Sequence, residues 1–160
     1  MSLERFSFSA LLGLVAAMAQ GQELPRQKVL PVEIAIKIAQ GAMDRCKADG
    51  YAVSVTIVDA AGHVKVQLRG DGTGPHTLEH GKRKAYTAMT FKRTSAETLK
   101  AWAAAGPIPL VEGTVAAAGG VPIRAGADVI GGIGVSGAPG GEKDEACANE
   151  GIQKVSSTLR

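Results

Sequence analysis

Two histidines four residues apart, His76 and His80, are the residues whose types and spacing most directly indicate chemistry. They fall in a segment that predicts a helix, so both imidazoles should lie on one face, close enough to share a ligand. Glu79 stands between them as a third candidate metal ligand. Two histidines alone do not close a metal site. The pair therefore needs a third ligand to hold iron, or a macrocycle such as haem, whose iron takes only axial ligands from the protein.

Basic residues close to the histidines are candidates to bind the carboxylates of a ligand. Residues 82–84 are Lys-Arg-Lys, and Arg69 precedes a glycine-rich loop. Cations at the edge of an apolar pocket could hold two haem propionates, and arginine can do so through two parallel hydrogen bonds. We select Arg69, Arg83 and Lys84 as cofactor-binding candidates beside the two histidines. The alternative, for this run and for the histidines, is an ordinary solvated helix face.

Other motifs point to structure more than to chemistry. The glycine-rich segment Gly131–Gly137 lacks the Lys-Ser/Thr of a phosphate-binding loop and does not match the dinucleotide fingerprint. Glycines within a strand instead indicate the close approach of another backbone or of a ligand. Asp144 and Glu145 fall in the first turn of a predicted helix, where the helix dipole accounts for their negative charge.

Composition narrows the class of protein. The chain has 160 residues, with 45% hydrophobic and 21% charged residues, which predicts one globular domain. Aromatic residues make up only 4%, so the core should consist of Ala, Val, Ile and Leu. A net charge of +3 is too small to indicate nucleic acid as a partner. Two cysteines exclude a multi-disulfide scaffold and a four-cysteine zinc site.

The first 21 residues have the outline of a secretory signal peptide. An apolar run from Phe6 to Met18 ends in the small-x-small pattern Ala17–Ala19 and is followed by polar residues. The run is too short to span a membrane, so no membrane contact is expected once the leader is removed. The alternative is a buried N-terminal helix. We predict a signal peptide over 1–21, a single domain over 22–160, and a periplasmic or secreted location.

Hydrophobic periodicity and turn residues predict an α+β domain after the leader. Hairpin connections between the strands imply antiparallel pairing. The predicted helices cover 32–48, 75–91, 94–105 and 142–158, and the predicted strands cover 51–58, 63–69, 114–118, 121–124 and 128–136.

Four segments of the chain resemble a known family: Val55–Gly72, Lys84–Ser95, Gly119–Ile123 and Val129–Ile152. They are similar to the GlcG/HbpS-type haem-binding and haem-degrading family, also met as the C-terminal domain of PduO-type corrinoid proteins. The resemblance implies a profilin-like α+β fold in which the first and last helices are adjacent, and the five strands predicted from the pattern would form its antiparallel sheet with flanking helices. It also implies oligomeric assembly, and ligands among haem, iron and corrinoids.

The resemblance suggests a role for the two cysteines. Cys46 continues the apolar stripe of the first helix, and Cys147 lies on the last helix. If those helices are adjacent, as the resemblance implies, the two residues could form a disulfide provided that their Cα atoms come within about 7 Å. The alternative is a pair of buried free thiols.

Three functions remain open at this point. The first is an exported haem-binding protein that sequesters haem or assists its degradation. The second is a small-molecule-binding accessory protein or cofactor-free enzyme of a catabolic operon, which takes an organic acid in the same pocket. The third is an assembly protein whose homo-oligomer is the function. The small side chains of Ala116–Ala118 and Ile130–Val135 would permit close contact between the subunits of such an oligomer.

Overall fold

A computed structural model describes residues 23–24, 26–106 and 111–160, so the predicted signal peptide lies outside the described residues. The described residues form an α+β domain with four helices and four strands, which confirms the predicted fold class. In chain order these are α1 (Val32–Ala48), β1 (Ser54–Asp59), β2 (Val64–Arg69), α2 (His76–Phe91), α3 (Ser95–Ala105), β3 (Gly120–Ala125), β4 (Asp128–Ser136) and α4 (Gly141–Gln153).

The strands form one antiparallel sheet in the order β2-β1-β4-β3. Helices α1 and α4 pack against each other and against the sheet, while α2 packs against β4, β1 and β3. The alternation along β1 explains the two faces: Val55 and Ile57 belong to the hydrophobic core with α1 and α4, whereas the hydroxyl of Ser54 meets Thr77 of α2. The first and last helices are therefore adjacent, as predicted.

The prediction of a fifth strand over Thr114–Ala118 is wrong. The N–H of Val115 donates to Oγ1 of Thr87 at 2.9 Å, and the carbonyl of Ala117 accepts from the hydroxyl of Ser95. The backbone of this segment thus bonds to side chains of α2 and of α3 instead of to a neighbouring strand. Short alanine side chains also give it little to pack on a sheet.

Among the described residues, the buried core cluster contains only aliphatic residues and the two cysteines, which confirms the expectation from the low aromatic content. Its fully buried members come from the sheet and from the helices on one face of it, among them Leu30, Ile38, Val55, Ile57, Ile123, Ile133 and Val135. Among the described helices, none is long and apolar enough to cross a bilayer.

Glycines in β4 allow α2 to approach the sheet closely. A Cβ atom added at Gly134 would collide with the carbonyl of Gly81 and lie 2.5 Å from the amide nitrogen of Ala85. One at Gly132 would collide with the carbonyl of Ala85. The expectation of a close backbone approach is thus confirmed. The expected subunit contact through Ile130–Val135 is wrong, because β4 is an inner strand that α2 already covers.

Replacing Gly134 by alanine should therefore cost about 3 kcal/mol of unfolding free energy, because the added methyl group overpacks the interface between α2 and β4. Gly50→Ala is a suitable control, since a methyl group there meets nothing within 4 Å and only the backbone conformation (φ +83°) is strained. That control should cost about 1 kcal/mol. Urea unfolding of both variants measures the difference, and equal losses would contradict the close approach.

A disulfide joins α1 to α4. Cys46 and Cys147 are bonded, with their Cα atoms 5.5 Å apart and their positions 101 apart in sequence. Gly151 of α4 lies against the backbone of α1, where a Cβ atom would collide with the carbonyl of Ile38. Small residues on both helices thus let their backbones come close enough for the bond. The alternative of two free thiols is therefore excluded.

Candidate functional site

The two candidate histidines line one open cleft of about 870 Å³, here called the histidine cleft. It lies where the start of α2 meets the end of β4, the start of α4 and the chain before β3. Its lining mixes polar side chains with small apolar ones, among them Tyr51, Ala52, Thr73, His76, Thr77, His80, Lys84, Ala117, Ala118, Ser136, Ala138, Pro139 and Asp144.

His76 and His80 occupy the first two turns of α2, which follows Pro75. The ring of His76 is exposed and lies against Gly74, where an added Cβ atom would come within 2.8 Å of its Cε1. His80 is half-buried, and burial lowers the pKa of its imidazole, with further lowering by the charges of Lys84, His76 and Arg83. A lowered pKa keeps the ring neutral near pH 7, and only a neutral imidazole can donate its lone pair to a metal.

Lys84, one turn after His80, lies in a buried ion pair at the wall of the cleft. Its Nζ is 2.7 Å from Oδ2 of Asp144 and donates to the carbonyl of Val135 at 3.0 Å. Both side chains are at most 4% exposed. Asp144 also accepts from the N–H of Ala138 at 3.0 Å, so the pair fixes the loop between β4 and α4.

Burial raises the pKa of Asp144, while the hydrogen bond and the charge of Lys84 lower it. The carboxyl therefore depends on its partner to remain ionised. Gly119 makes room for the pair, because a Cβ atom there would lie 2.8 Å from Nζ of Lys84 and 2.8 Å from Cβ of Asp144.

The hydroxyl groups of Thr77 and Ser136 line the cleft, and Ser54 lies behind Thr77. Oγ of Ser54 and Oγ1 of Thr77 are 2.7 Å apart, and Thr77 donates to the carbonyl of Gly74 at 2.7 Å. Ser136 is 4% exposed and lines the cleft. These groups tie the first turn of α2 to β1 and leave the wall polar.

The other candidates lie outside the histidine cleft. The guanidinium of Arg83 donates to Oε1 of Glu79 at 2.9 Å, and the two residues line a separate surface pocket with Tyr86. The guanidinium of Arg69 donates to the carbonyl of Thr73 at 3.0 Å and lines a third pocket. Of the predicted set, the cleft thus brings together the two histidines and Lys84.

The structure does not assemble the predicted iron site from His76, His80 and Glu79. The carboxylate of Glu79 is paired with Arg83 and Lys82, and these cations lower its pKa despite some opposing burial. Across the described ranges, no three His, Cys, Asp or Glu side chains converge on one point.

Asp144 lines the cleft and pairs with Lys84, whereas the sequence alone indicated only a structural role for it. Its position in the first turn of α4 is explained by the helix dipole, and nothing local indicates a partner. That partner is 60 residues away in sequence. Only the fold, with α2 and α4 meeting at the end of β4, brings the two side chains together.

Known proteins resemble this chain over nearly all of its described length. A family model described as a haem-degrading, HbpS-like protein matches residues 30–153. The crystal structure of HbpS is 40% identical, with a TM-score of 0.80, over 86% of this chain and 97% of that one. A double mutant of Streptomyces reticuli HbpS is 39% identical, also with a TM-score of 0.80, over 86% of this chain and 94% of that one.

A crystal structure of a PduOC–haem complex is 26% identical, with a TM-score of 0.71, over 79% of this chain and 94% of that one. The Klebsiella pneumoniae protein ORFY is 22% identical, with a TM-score of 0.77 over 86% of this chain and 99% of that one, and shares the fold. No curated protein sequence matches the chain.

Proposed function

The chain belongs to the HbpS-like family of haem-degrading proteins, and from that premise we propose that it binds haem in the histidine cleft. The observation that carries the proposal is the placement of His76 and His80 on one open cleft of about 870 Å³. The relatives support it, because one of the solved structures is a haem complex.

The chemistry of the lining fits a haem group. Either imidazole can supply an axial ligand, and the lowered pKa of His80 favours the neutral ring that ligation requires. Small apolar residues, Ala117, Ala118 and Pro139, offer surface to the macrocycle. Bound haem would supply the iron chemistry, and the protein would supply the axial bond and shield one face of the ring from water.

Lys84 is the cofactor-binding cation that we retain for a propionate. Lys84 lines the cleft, and two of the three N–H groups of its Nζ are already committed to Asp144 and Val135, which leaves one for a propionate. Arg69 and Arg83 line other pockets and are not proposed as propionate ligands. The iron in this proposal is haem iron, since Glu79 is held by Arg83 away from the histidines.

Single substitutions should identify the axial ligand. His76→Ala or His80→Ala, whichever removes the ligand, should move the Soret maximum of the haem complex and lower haemin affinity at least tenfold. His63→Ala is the matched control, because that histidine is exposed at the hairpin between β1 and β2 and does not line the cleft. Absorbance titration with haemin measures both quantities. An effect of His63→Ala as large as those of the cleft variants would contradict the assignment.

We also propose that the chain is exported and acts in the periplasm or outside the cell, sequestering haem or assisting its degradation there. The signal-like segment 1–21 motivates this, and the Cys46–Cys147 bond supports it, because disulfides persist in oxidising compartments. Export would remove the leader and leave residues 22–160 as one domain. We propose that this domain has a profilin-like fold.

A homo-oligomer is proposed on different grounds from those that the sequence offered. Val29, Val32 and Ile36 form an exposed apolar strip at the start of α1, with exposures of 72%, 43% and 50%. Such a strip is typical of a contact surface. We expect light scattering at micromolar concentration to give a mass above one chain, and Ile36→Glu to lower it; a monomeric mass of the unaltered chain would contradict the proposal.

A further inference from the structure

A second groove lies at the opposite ends of α2 and α4 from the histidine cleft. It has a volume of about 730 Å³ and is here called the basic groove. Val121, Ile152 and Leu159 give it an apolar floor, and Lys92, Arg93 and Arg124 supply three cations. The groove shares no lining residue with the histidine cleft.

The three cations of the groove are not neutralised within the described part of the chain, where none of them takes part in a salt bridge. Two are nevertheless held in place by neutral acceptors. Arg93 donates to Oγ1 of Thr98 at 3.2 Å, and Arg124 donates to the carbonyl of Lys92. Hydrogen bonds thus fix the positions of the two guanidinium groups, while no carboxylate of the described chain neutralises their charge. Such an arrangement favours an anionic ligand.

The one carboxylate in the lining does not offset this charge in the way an ion pair would. Glu97 belongs to the capping box of α3, in which its Oε2 accepts from the N–H of Thr94 at 2.8 Å. The groove therefore combines three cations that have no salt-bridge partner among the described residues with an apolar floor, and its ligand should combine carboxylates with an apolar body.

The groove also lacks axial ligands. Among the described residues, no histidine, cysteine, methionine or tyrosine lines it. A ligand held there would be recognised by its carboxylates and its apolar face, not by a bond to iron. We propose that the basic groove is a second tetrapyrrole site, which takes an iron-free tetrapyrrole by its two propionates. This inference rests on the proposed function, because that function brings tetrapyrroles to the protein.

Metal-free protoporphyrin IX tests the groove without iron ligation by the histidines, and the histidine variants control for binding in the cleft. Quenching of Trp102, the single tryptophan of the chain, reports binding. The His76→Ala/His80→Ala variant should retain the wild-type affinity for this probe within twofold. Lys92→Gln/Arg93→Gln/Arg124→Gln should lose at least tenfold. Lys37→Gln/Lys47→Gln/Lys82→Gln, which removes the same charge from exposed sites elsewhere, should stay within twofold of wild type.

A second pair of variants keeps the test decisive if the triple substitution disturbs folding. Ser156→Glu adds a carboxylate to the groove at an exposed residue and should weaken the probe at least fivefold, whereas Ser157→Glu, also exposed but outside the lining, should not. No binding by wild type, or equal effects of the groove variants and their controls, would overturn the inference. Failure of the proposed function is read separately, as the absence of a Soret shift with haemin.

Discussion

Replacing Cys46 and Cys147 together by alanine should lower the free energy of unfolding by about 4 to 5 kcal/mol at 25 °C. The bond closes a loop of about 100 residues, so it removes much of the conformational freedom of the unfolded chain. Both cysteines are fully buried between α1 and α4, so the loss should appear as destabilisation of the whole domain. Urea unfolding of the oxidised protein measures it.

Reductant provides the control for the disulfide. Dithiothreitol should lower the stability of the unsubstituted protein by a similar amount and leave the double alanine variant unchanged, since the variant has no bond to break. If the variant unfolds at the same urea concentration as the oxidised protein, the bond contributes nothing and the loop-entropy argument fails.

Lys84→Met should destabilise the protein by about 3 to 5 kcal/mol at pH 7. The substitution leaves the carboxylate of Asp144 buried without its cation, and an uncompensated buried charge is costly. The deficit relative to wild type should shrink as the pH falls toward 5. Burial already raises the pKa of Asp144, and the loss of Lys84 removes the two largest influences that lower it.

The sign of this pH dependence follows from proton linkage. A carboxyl whose pKa is higher in the folded than in the unfolded state binds a proton more tightly when folded, so acid stabilises the folded variant relative to the unfolded one. Lys84→Met/Asp144→Asn, which removes both charges, should recover more than half of the loss. A double variant as unstable as the single one would show that packing, not charge, causes the effect.

Local patterns were enough to predict most of the fold. The apolar stripe of α1, the capping box at Thr94 and the alternation of β1 and β2 each depend on residues within one element. Each of these elements is present, although β1 begins three residues later than predicted. The strand predicted over Thr114–Ala118 is absent because the hydrogen-bond partners of this segment come from other parts of the chain. Its backbone bonds to Thr87 and Ser95, which the chain contributes from elements 20 to 30 residues earlier.

The candidate site could be predicted only along the helix that carries it. His76, His80 and Lys84 follow one another at intervals of four, so they stay on neighbouring parts of one face. Glu79 and Arg83 each precede a cleft residue by one position, about 100° around the helix axis, and therefore point to another pocket. Because all five residues are close in sequence, they were predicted to share one site, but their positions around the helix axis direct them to two different pockets.

The partners of the site residues could not be predicted from any local sequence pattern. Asp144 reaches Lys84 across 60 residues, and the basic groove joins residues of α3, β3, α4 and the turn after α2. Its cations were visible in the sequence as Lys92 and Arg93, but the third, Arg124, and the apolar floor come from other elements. Such sites require the relative placement of elements, which periodicity does not determine.

Haemin titration of the purified chain, followed by absorbance, tests the central claim most directly. We expect the Soret band of free haemin to shift on binding to the unsubstituted protein, and the shift to be lost in His76→Ala/His80→Ala, because these imidazoles are the axial ligands that the histidine cleft offers. An unshifted Soret band with the unsubstituted protein, or an identical shift in the double variant, would contradict the account.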